Sequence, residues 1–315
     1  MLRITLIRLL SVVPVLFGIS VISFLVIRMI PGDVISSIMG QDFADPVVEA
    51  ELRRYFGLDV PVHEQFLHWL GALLQGDLGT SMRTGQPVLE EIMDRLPATL
   101  LLAVSALVVS ILISIPLGVV SATRRNGLLD AGTRVGSLIG LSLPNFWLGI
   151  LLIYVFSVTL GWLPSQGAGE GQGFWGSLKY LILPAVTLGA SLAAISMRMT
   201  RSSMLEVLNQ DYVRTARAKG LAERVVVGRH ALRNSLIPVV TVIGIQAGAL
   251  LGGTVIVEQV FAWPGLGTMV LRGISQRDYP VVQGTLLFLA FFYVVVNLMV
   301  DLIYTYLDPR LRSGH

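Results

Sequence analysis

The sequence predicts an all-α polytopic membrane protein with six transmembrane helices, both termini cytoplasmic, and a small external helical segment between spans 1 and 2. Three observations predict it. Apolar residues make up 54% of the 315-residue chain and charged residues only 14%, whereas ordinary soluble domains carry about 25% charged residues. The charges are segregated, leaving several nearly uncharged runs of roughly 20 residues, enough to cross a bilayer core; mean hydropathy is +0.74. The Arg-rich intervals alternate with these runs so that all fall on one face, as cytoplasmic loops do. The net charge of +3 therefore reads as topology, with no nucleic acid as partner. The chain has no cysteine, which excludes disulfides and thiolate metal ligands.

The first span is expected over about Leu9 to Ile27, with Arg3 and Arg8 behind it on the inside. Its apolar stretch is too long for a secretory leader and no small-residue cleavage site follows, so it reads as retained. Residues 1–30 form this cytoplasmic start and first helix, closed by the turn signal Pro31-Gly32-Asp33. Residues 31–96 form the external segment, with eleven acids against four arginines, an excess that suits the outer side. Within it Asp45–Phe56 and Pro61–Leu74 read as helices. Residues 97–315 form a five-helix core with spans at about Pro97–Val120, Val135–Leu160, Leu178–Ala194, Leu236–Val257 and Val281–Tyr304. Pro144 predicts a kink in the third span. The pairs Gly136/Gly140 and Gly248/Gly252 have the spacing that lets helix backbones approach in lipid. Glu258 lies at the outer end of the fifth span and Asp301 within the sixth. An intramembrane acid is a functional-site hypothesis; Asp301 either acts in transport, pairs with a basic loop residue at the inner end or caps a neighbouring helix.

Several chemistries have no residues to carry them. A P-loop needs Gly-Lys-Ser/Thr so that lysine reaches the nucleotide phosphates, but the only lysines are Lys179 after Leu178 and Lys219 before Gly220. No Gly-x-Ser-x-Gly is present either, so the chain reads as a non-catalytic subunit. His63-Glu64 followed by His68 imitates a zinc motif, yet a spacing of five turns the second histidine about 140° round the helix. It reads as solvated surface. An ion-coupled secondary carrier would place acids or histidines at mid-membrane in paired halves; only Asp301 supports that alternative.

The interval 198–235 holds eight Arg/Lys residues against Glu206, Asp211 and Glu223. Ser203-x-x-Glu206 matches a capping box, and Asp211 is a candidate cap for a second short helix over Tyr212–Lys219. Gly220 suits the left-handed turn after it, and Ala222–Leu232 continues as an amphipathic stretch. Two readings fit: a basic loop lying near lipid headgroups, or a helical knob for a soluble partner.

The segment Asp211-Tyr-Val-Arg-Thr-Ala-Arg-Ala-Lys-Gly220, with His230-Ala-Leu-Arg-Asn234 and Pro238-Val-Val-Thr-Val after it, resembles the coupling loop of ABC-importer permeases of the dipeptide, oligopeptide and nickel family. Against the importer signature Glu-Ala-Ala, three residues, Gly, nine residues, Ile-x-Leu-Pro, the chain places Arg214-Thr215-Ala216, Gly220 and His230-x-Leu232-Arg233. Ala216, Gly220 and Leu232 match strictly. The likeness spans nearly the whole chain through Pro31-Gly32-Asp33, Gly76-Asp77-Leu78-Gly79, Trp263-Pro264-Gly265-Leu266-Gly267 and Arg277-Asp278-Tyr279-Pro280. It implies a permease subunit of an ATP-driven importer in the bacterial inner membrane, most directly for di- or oligopeptides, with nickel and glutathione as other family cargoes. It implies a second, homologous permease as heterodimer partner, two cytoplasmic ATPase subunits that carry ATP and Mg, and an external substrate-binding protein. No cofactor is expected on this chain. The 211–233 loop would couple to the ATPases through Asp211, Tyr212, Arg214, Thr215, Ala216, Arg217, Lys219, Gly220, His230, Leu232 and Arg233, with Ala216 small for close docking. Asp33, Asp77, Glu258, Trp263, Pro264, Gly265, Gly267, Arg277 and Asp278 would lie on the external gate and binding-protein side.

Overall fold

The computed structural model describes residues 2–29, 35, 46–169, 171 and 173–307. The described residues are helical almost throughout, with one isolated bridge, Thr80 to Pro87, and no strand. Among the described residues four helices are long and apolar enough to cross a membrane: Val88–Thr123, Trp175–Leu208, Glu223–Leu250 and Tyr279–Val300. A bent pair, Leu128–Ser142 with Asn145–Thr159, makes a fifth if it is one span. The elements are α1 (Leu2–Met29), α2 (Pro46–Tyr55), α3 (Val62–Leu74), α4 (Val88–Thr123), α5 (Leu128–Ser142), α6 (Asn145–Leu152), α7 (Gly173–Leu208), α8 (Asp211–Ala218), α9 (Glu223–Val225), α10 (Leu232–Val260), α11 (Leu266–Gln276) and α12 (Tyr279–Leu307). Wide π turns extend α6 over Ile153–Thr159 and join α9 to α10 over Val226–Ala231.

The chain divides into two units, Met1–Thr99 with Pro264–Val294, and Leu100–Trp263 with Val295–His315. In the first, α3 lies on α1 because its aromatic face meets Phe24, whose ring sits 5.1 Å from Phe66 and 5.7 Å from Trp69. Arg28 finishes that contact. Its guanidinium stacks 3.5 Å over the Phe24 ring and donates to Gln65 Oε1 at 2.6 Å. A core of Val88, Ile92, Leu266, Met269 and Val281 joins α4, α11 and α12. The two helices that the sequence predicts in the external segment are present as α2 and α3.

In the second unit, small residues set the helix spacing. A Cβ on Gly189 would lie 2.8 Å from the Ala106 carbonyl oxygen, and one on Gly118 2.6 Å from Thr200 Cβ, so α4 and α7 touch backbone to backbone. Each predicted GxxxG pair contributes one such contact rather than two. Gly140 meets Ala194 and Gly248 meets Asn297, whereas Gly136 and Gly252 face open space.

The third predicted span needs correction. The sequence predicts one kinked helix over Val135–Leu160; the structure has two helices bent by 107°. Proline pushes the residue before it out of the helical region. Leu143 is accordingly extended (φ −82°, ψ 125°), and Pro144 itself, at ψ 138°, becomes the cap that starts α6. Two successive extended residues make a break instead of a kink.

Candidate functional site

The loop between α7 and α10 is a folded knob. The predicted capping box at Ser203 does not form, because α7 runs unbroken to Leu208 and the Ser203 hydroxyl donates to the Ser235 carbonyl at 2.9 Å. Gln210 caps α8 in place of Asp211, with no side-chain hydrogen bond, and Asp211 is its first helical residue. On α8, Val213 and Ala216 are three apart and therefore share a face. Both are buried, in a cluster with Val226 against Val207 and Leu208. The π turn rotates the chain so that Val226 faces α8 while Ala231 packs with Ala122 and Met204 against α4 and α7. Such wide turns often mark functional sites.

The far end of α8 closes in a Schellman turn. Leu221 N–H donates to the Ala216 carbonyl at 3.4 Å and Gly220 N–H to the Arg217 carbonyl at 2.9 Å, with Gly220 at φ +77°. Arg217 then clamps Glu223 with two bonds, Nη2 to Oε1 at 2.7 Å and Nε to Oε2 at 3.1 Å. That carboxylate raises the guanidinium above its ordinary value. On the opposite side Tyr212 Oη accepts from Asn234 Nδ2 at 2.8 Å and donates to the His230 carbonyl at 3.4 Å, tying α8 to the start of α10.

The structure thus sorts the predicted loop residues. Asp211, Tyr212, Arg214, Thr215, Arg217, Lys219, Gly220 and Arg233 are exposed. Ala216, by contrast, points into its own chain at 6% exposure, packed with Val213 and Val226. Leu232 is half-buried against the Ala122 cluster, and His230 is half-buried with its carbonyl engaged. The exposed side is a basic ridge carrying Arg214, Arg217 and Lys219.

Sequence reasoning missed the anchor beneath the knob. Asp130 on α5 is fully buried. It accepts from Arg201 Nε at 2.7 Å and Nη2 at 3.0 Å, from Ser121 Oγ at 2.6 Å and from Asn126 N–H at 3.0 Å. Three helices, α4, α5 and α7, are therefore held by one carboxylate whose oxygens are both satisfied. Asp130 and Arg201 lie 71 residues apart, and no local pattern pairs them. The available signal was a lone acid just after Arg124-Arg125.

Most of the predicted external-side residues that the structure describes are buried within their own units. Asp278 is buried and accepts from Ser81 Oγ at 2.5 Å and Met82 N–H at 3.2 Å, pinning the loop before α4 to the start of α12. Arg277 takes the left-handed position (φ 58°) of a second Schellman turn, with Asp278 N–H bonded to the Gly273 carbonyl at 2.9 Å. Gly265 and Gly267 are buried around the start of α11, and Pro264 is half-buried. Glu258 and Trp263 are buried in the other unit, where Trp263 N–H donates to the Glu258 carbonyl at 2.8 Å. Asp77 is exposed and accepts from Gly79 N–H at 2.8 Å. Asp33 and the Asp301 side chain lie outside the described residues. Among the described residues no cluster of three His, Asp or Glu could hold a metal ion.

Among the described residues, four or five membrane-length helices and a packed polar knob between two of them define a polytopic membrane component. The particular family follows from comparison: the chain belongs to the binding-protein-dependent transport system inner membrane components, matching that family over residues 114–313 and its N-terminal companion over 1–103. Members of this family are permease subunits of ABC importers and are themselves non-catalytic. The chain is 42% identical over 326 residues to the dipeptide transport system permease protein DppB of Alkalihalophilus pseudofirmus, covering 97% of this chain and 98% of that protein. It is 43% identical over 326 residues to the di/tripeptide transport system permease protein DppB of Pseudomonas aeruginosa, covering 97% of each chain. It is 44% identical over 305 residues to the glutathione transport system permease protein GsiC of Escherichia coli, again covering 97% of each. Among solved structures, the methionine ABC transporter MetNI in an inward-facing conformation matches with a TM-score of 0.58 at 20% identity, over 69% of this chain and 96% of that one. At that identity the likeness concerns the fold alone.

Proposed function

We propose that this chain forms half of a translocation path for short peptides in a bacterial inner membrane, crossing it six times with both termini inside. The observation that carries the reading is the knob between α7 and α10: a helix fixed on its own chain by Val213 and Ala216, with a basic outer side presented to solvent. A rigid knob is what transmission of a push requires. Two ATPase subunits, binding ATP and Mg, would receive this knob and that of a second, homologous permease, most simply as a heterodimer. Their closure would drive the knobs together and switch the spans between inward-open and outward-open. An external binding protein would deliver cargo at the opposite face, over the acidic segment that includes exposed Asp77.

Di- and oligopeptides are the cargo best supported, because the relatives are named for dipeptides, di/tripeptides and glutathione, and glutathione is itself a tripeptide. Uptake of labelled dipeptide, longer peptide, glutathione and nickel in cells with and without the gene tests this. Loss of peptide uptake, abolished equally by ATP depletion, is expected. Uptake that survives ATP depletion and collapses with the ion gradient would instead make the chain a secondary carrier.

A further inference from the structure

Between α5 and α7 lies a cavity of about 260 Å³ lined by Arg134, Ser137, Leu138, Arg198 and Arg201. The two helices run antiparallel. They touch at Gly140 and Ala194 on one side of the cavity, and the Asp130–Arg201 pair joins them on the other. The wall is strongly cationic. Asp130 is committed to Arg201 and lies 3.8 Å from Arg134 Nε, so one carboxylate serves two guanidinium groups in a lining that holds three arginines. Arg198 has no carboxylate within ion-pair distance among the described residues and is exposed.

The surroundings are apolar. Val135, Leu138 and Ile139 on α5 are 56%, 57% and 52% exposed, and Ile195, one turn from Arg198 on α7, is also exposed. Arginine forks match phosphate oxygens in pairs, and basic pockets between membrane helices bind lipid headgroups. An acidic protein segment would satisfy the charge but leave the leucine and isoleucine uncovered. A molecule with a phosphodiester joined to hydrocarbon covers both. We propose that the Arg134–Arg198–Arg201 pocket binds the phosphate of an anionic phospholipid, whose acyl chains lie along the exposed apolar side chains of α5. The proposal needs only that the chain sits in a bilayer, so it stands or falls separately from the cargo.

The test is native mass spectrometry of the assembled transporter, purified in mild detergent and offered equal amounts of phosphatidylglycerol and phosphatidylcholine. The pocket variant is Arg134→Gln/Arg198→Gln, which spares Arg201 because it holds Asp130. The control, Arg124→Gln/Arg125→Gln, removes the same charge from the neighbouring exposed loop. The intact protein should retain phosphatidylglycerol in preference. The pocket variant should lose occupancy about 25-fold, at about fivefold per arginine, while the control stays unchanged. Equal retention by the pocket variant, or an equal loss in the control, overturns the site. In a separate arm inorganic phosphate is titrated against the bound lipid: no displacement supports the lipid, and complete displacement overturns it in favour of a free-phosphate site. Should the double variant fail to assemble, Arg198→Gln alone carries the test, with a loss of about fivefold expected and none overturning the proposal.

Discussion

Gly220 isolates the contribution of knob geometry. A Cβ added there would meet nothing within 4 Å, so substitutions change the backbone and not the packing. At φ +77° an ordinary L-residue pays the left-handed penalty of about 1–2 kcal/mol, and asparagine tolerates that region better than alanine. Proline is worse on two counts: its ring fixes φ near −65°, and it removes the N–H that donates to the Arg217 carbonyl. A loss of about 3 kcal/mol or more follows. Since 1.4 kcal/mol is roughly tenfold in an equilibrium, coupling should decline in the order Gly, Asn, Ala, Pro. Alanine should cost about 5- to 30-fold in the ratio of docked to undocked knob, and proline should abolish it. The assay is ATP-driven uptake together with cargo-stimulated ATPase activity, normalised to the permease in the membrane. The lesion is confined to a loop turn, so that amount should not change. Full coupling in Gly220→Pro, or asparagine performing worse than alanine, would refute the argument.

Four further outcomes are expected. Ala216→Arg forces a charge among Val213 and Val226, so α8 should leave its seat and uptake should fall below a tenth, whereas Ala216→Ser stays near the parent; uptake per membrane-inserted protein decides. Glu223→Gln, which leaves the basic side of α8 intact, should lower coupling only mildly, because its pair with Arg217 is solvent-exposed and such pairs contribute about 1 kcal/mol or less; the same uptake assay decides. Asp130→Asn leaves half-buried Arg201 without its bidentate carboxylate partner, and the detergent-solubilised transporter should unfold at lower temperature. Arg201→Lys should not rescue the fold, since a point charge cannot reproduce the two bonds. Gly189→Val sets a side chain 2.8 Å from the Ala106 carbonyl oxygen, so α4 and α7 must separate and the amount of assembled complex in the membrane should drop severalfold.

Much of this architecture is legible in the residues because membrane spans are written in composition. The long apolar runs at Pro97–Val120 and Val281–Tyr304 appear as α4 and α12, both longer than predicted. Their polar ends still satisfy backbone bonds by continuing the helix beyond the apolar window. The turn at Gly220 was readable for a local reason, since few residues but glycine adopt its φ. The break at Leu143–Pro144 was only half-readable: proline announces an interruption, but the 107° bend depends on two residues both becoming extended. The inward face of Ala216 is set by Val226, ten residues on and brought round by a π turn that leaves no sequence signature. The Asp130–Arg201 pair depends on which helices become neighbours, which a single chain's local pattern does not encode.

The central claim is that the exposed side of α8 meets a soluble ATPase. The chain has no cysteine, so a single cysteine can be placed without altering any native thiol. Thr215→Cys on the exposed side and Val213→Cys on the buried side, each labelled with a maleimide photo-crosslinker in inverted membrane vesicles bearing the whole transporter, make the comparison. An ATPase adduct from position 215 is expected, increased when ATP closes the ATPase pair, with little or none from 213. No ATPase adduct from 215, or equal adducts from both positions, would contradict it.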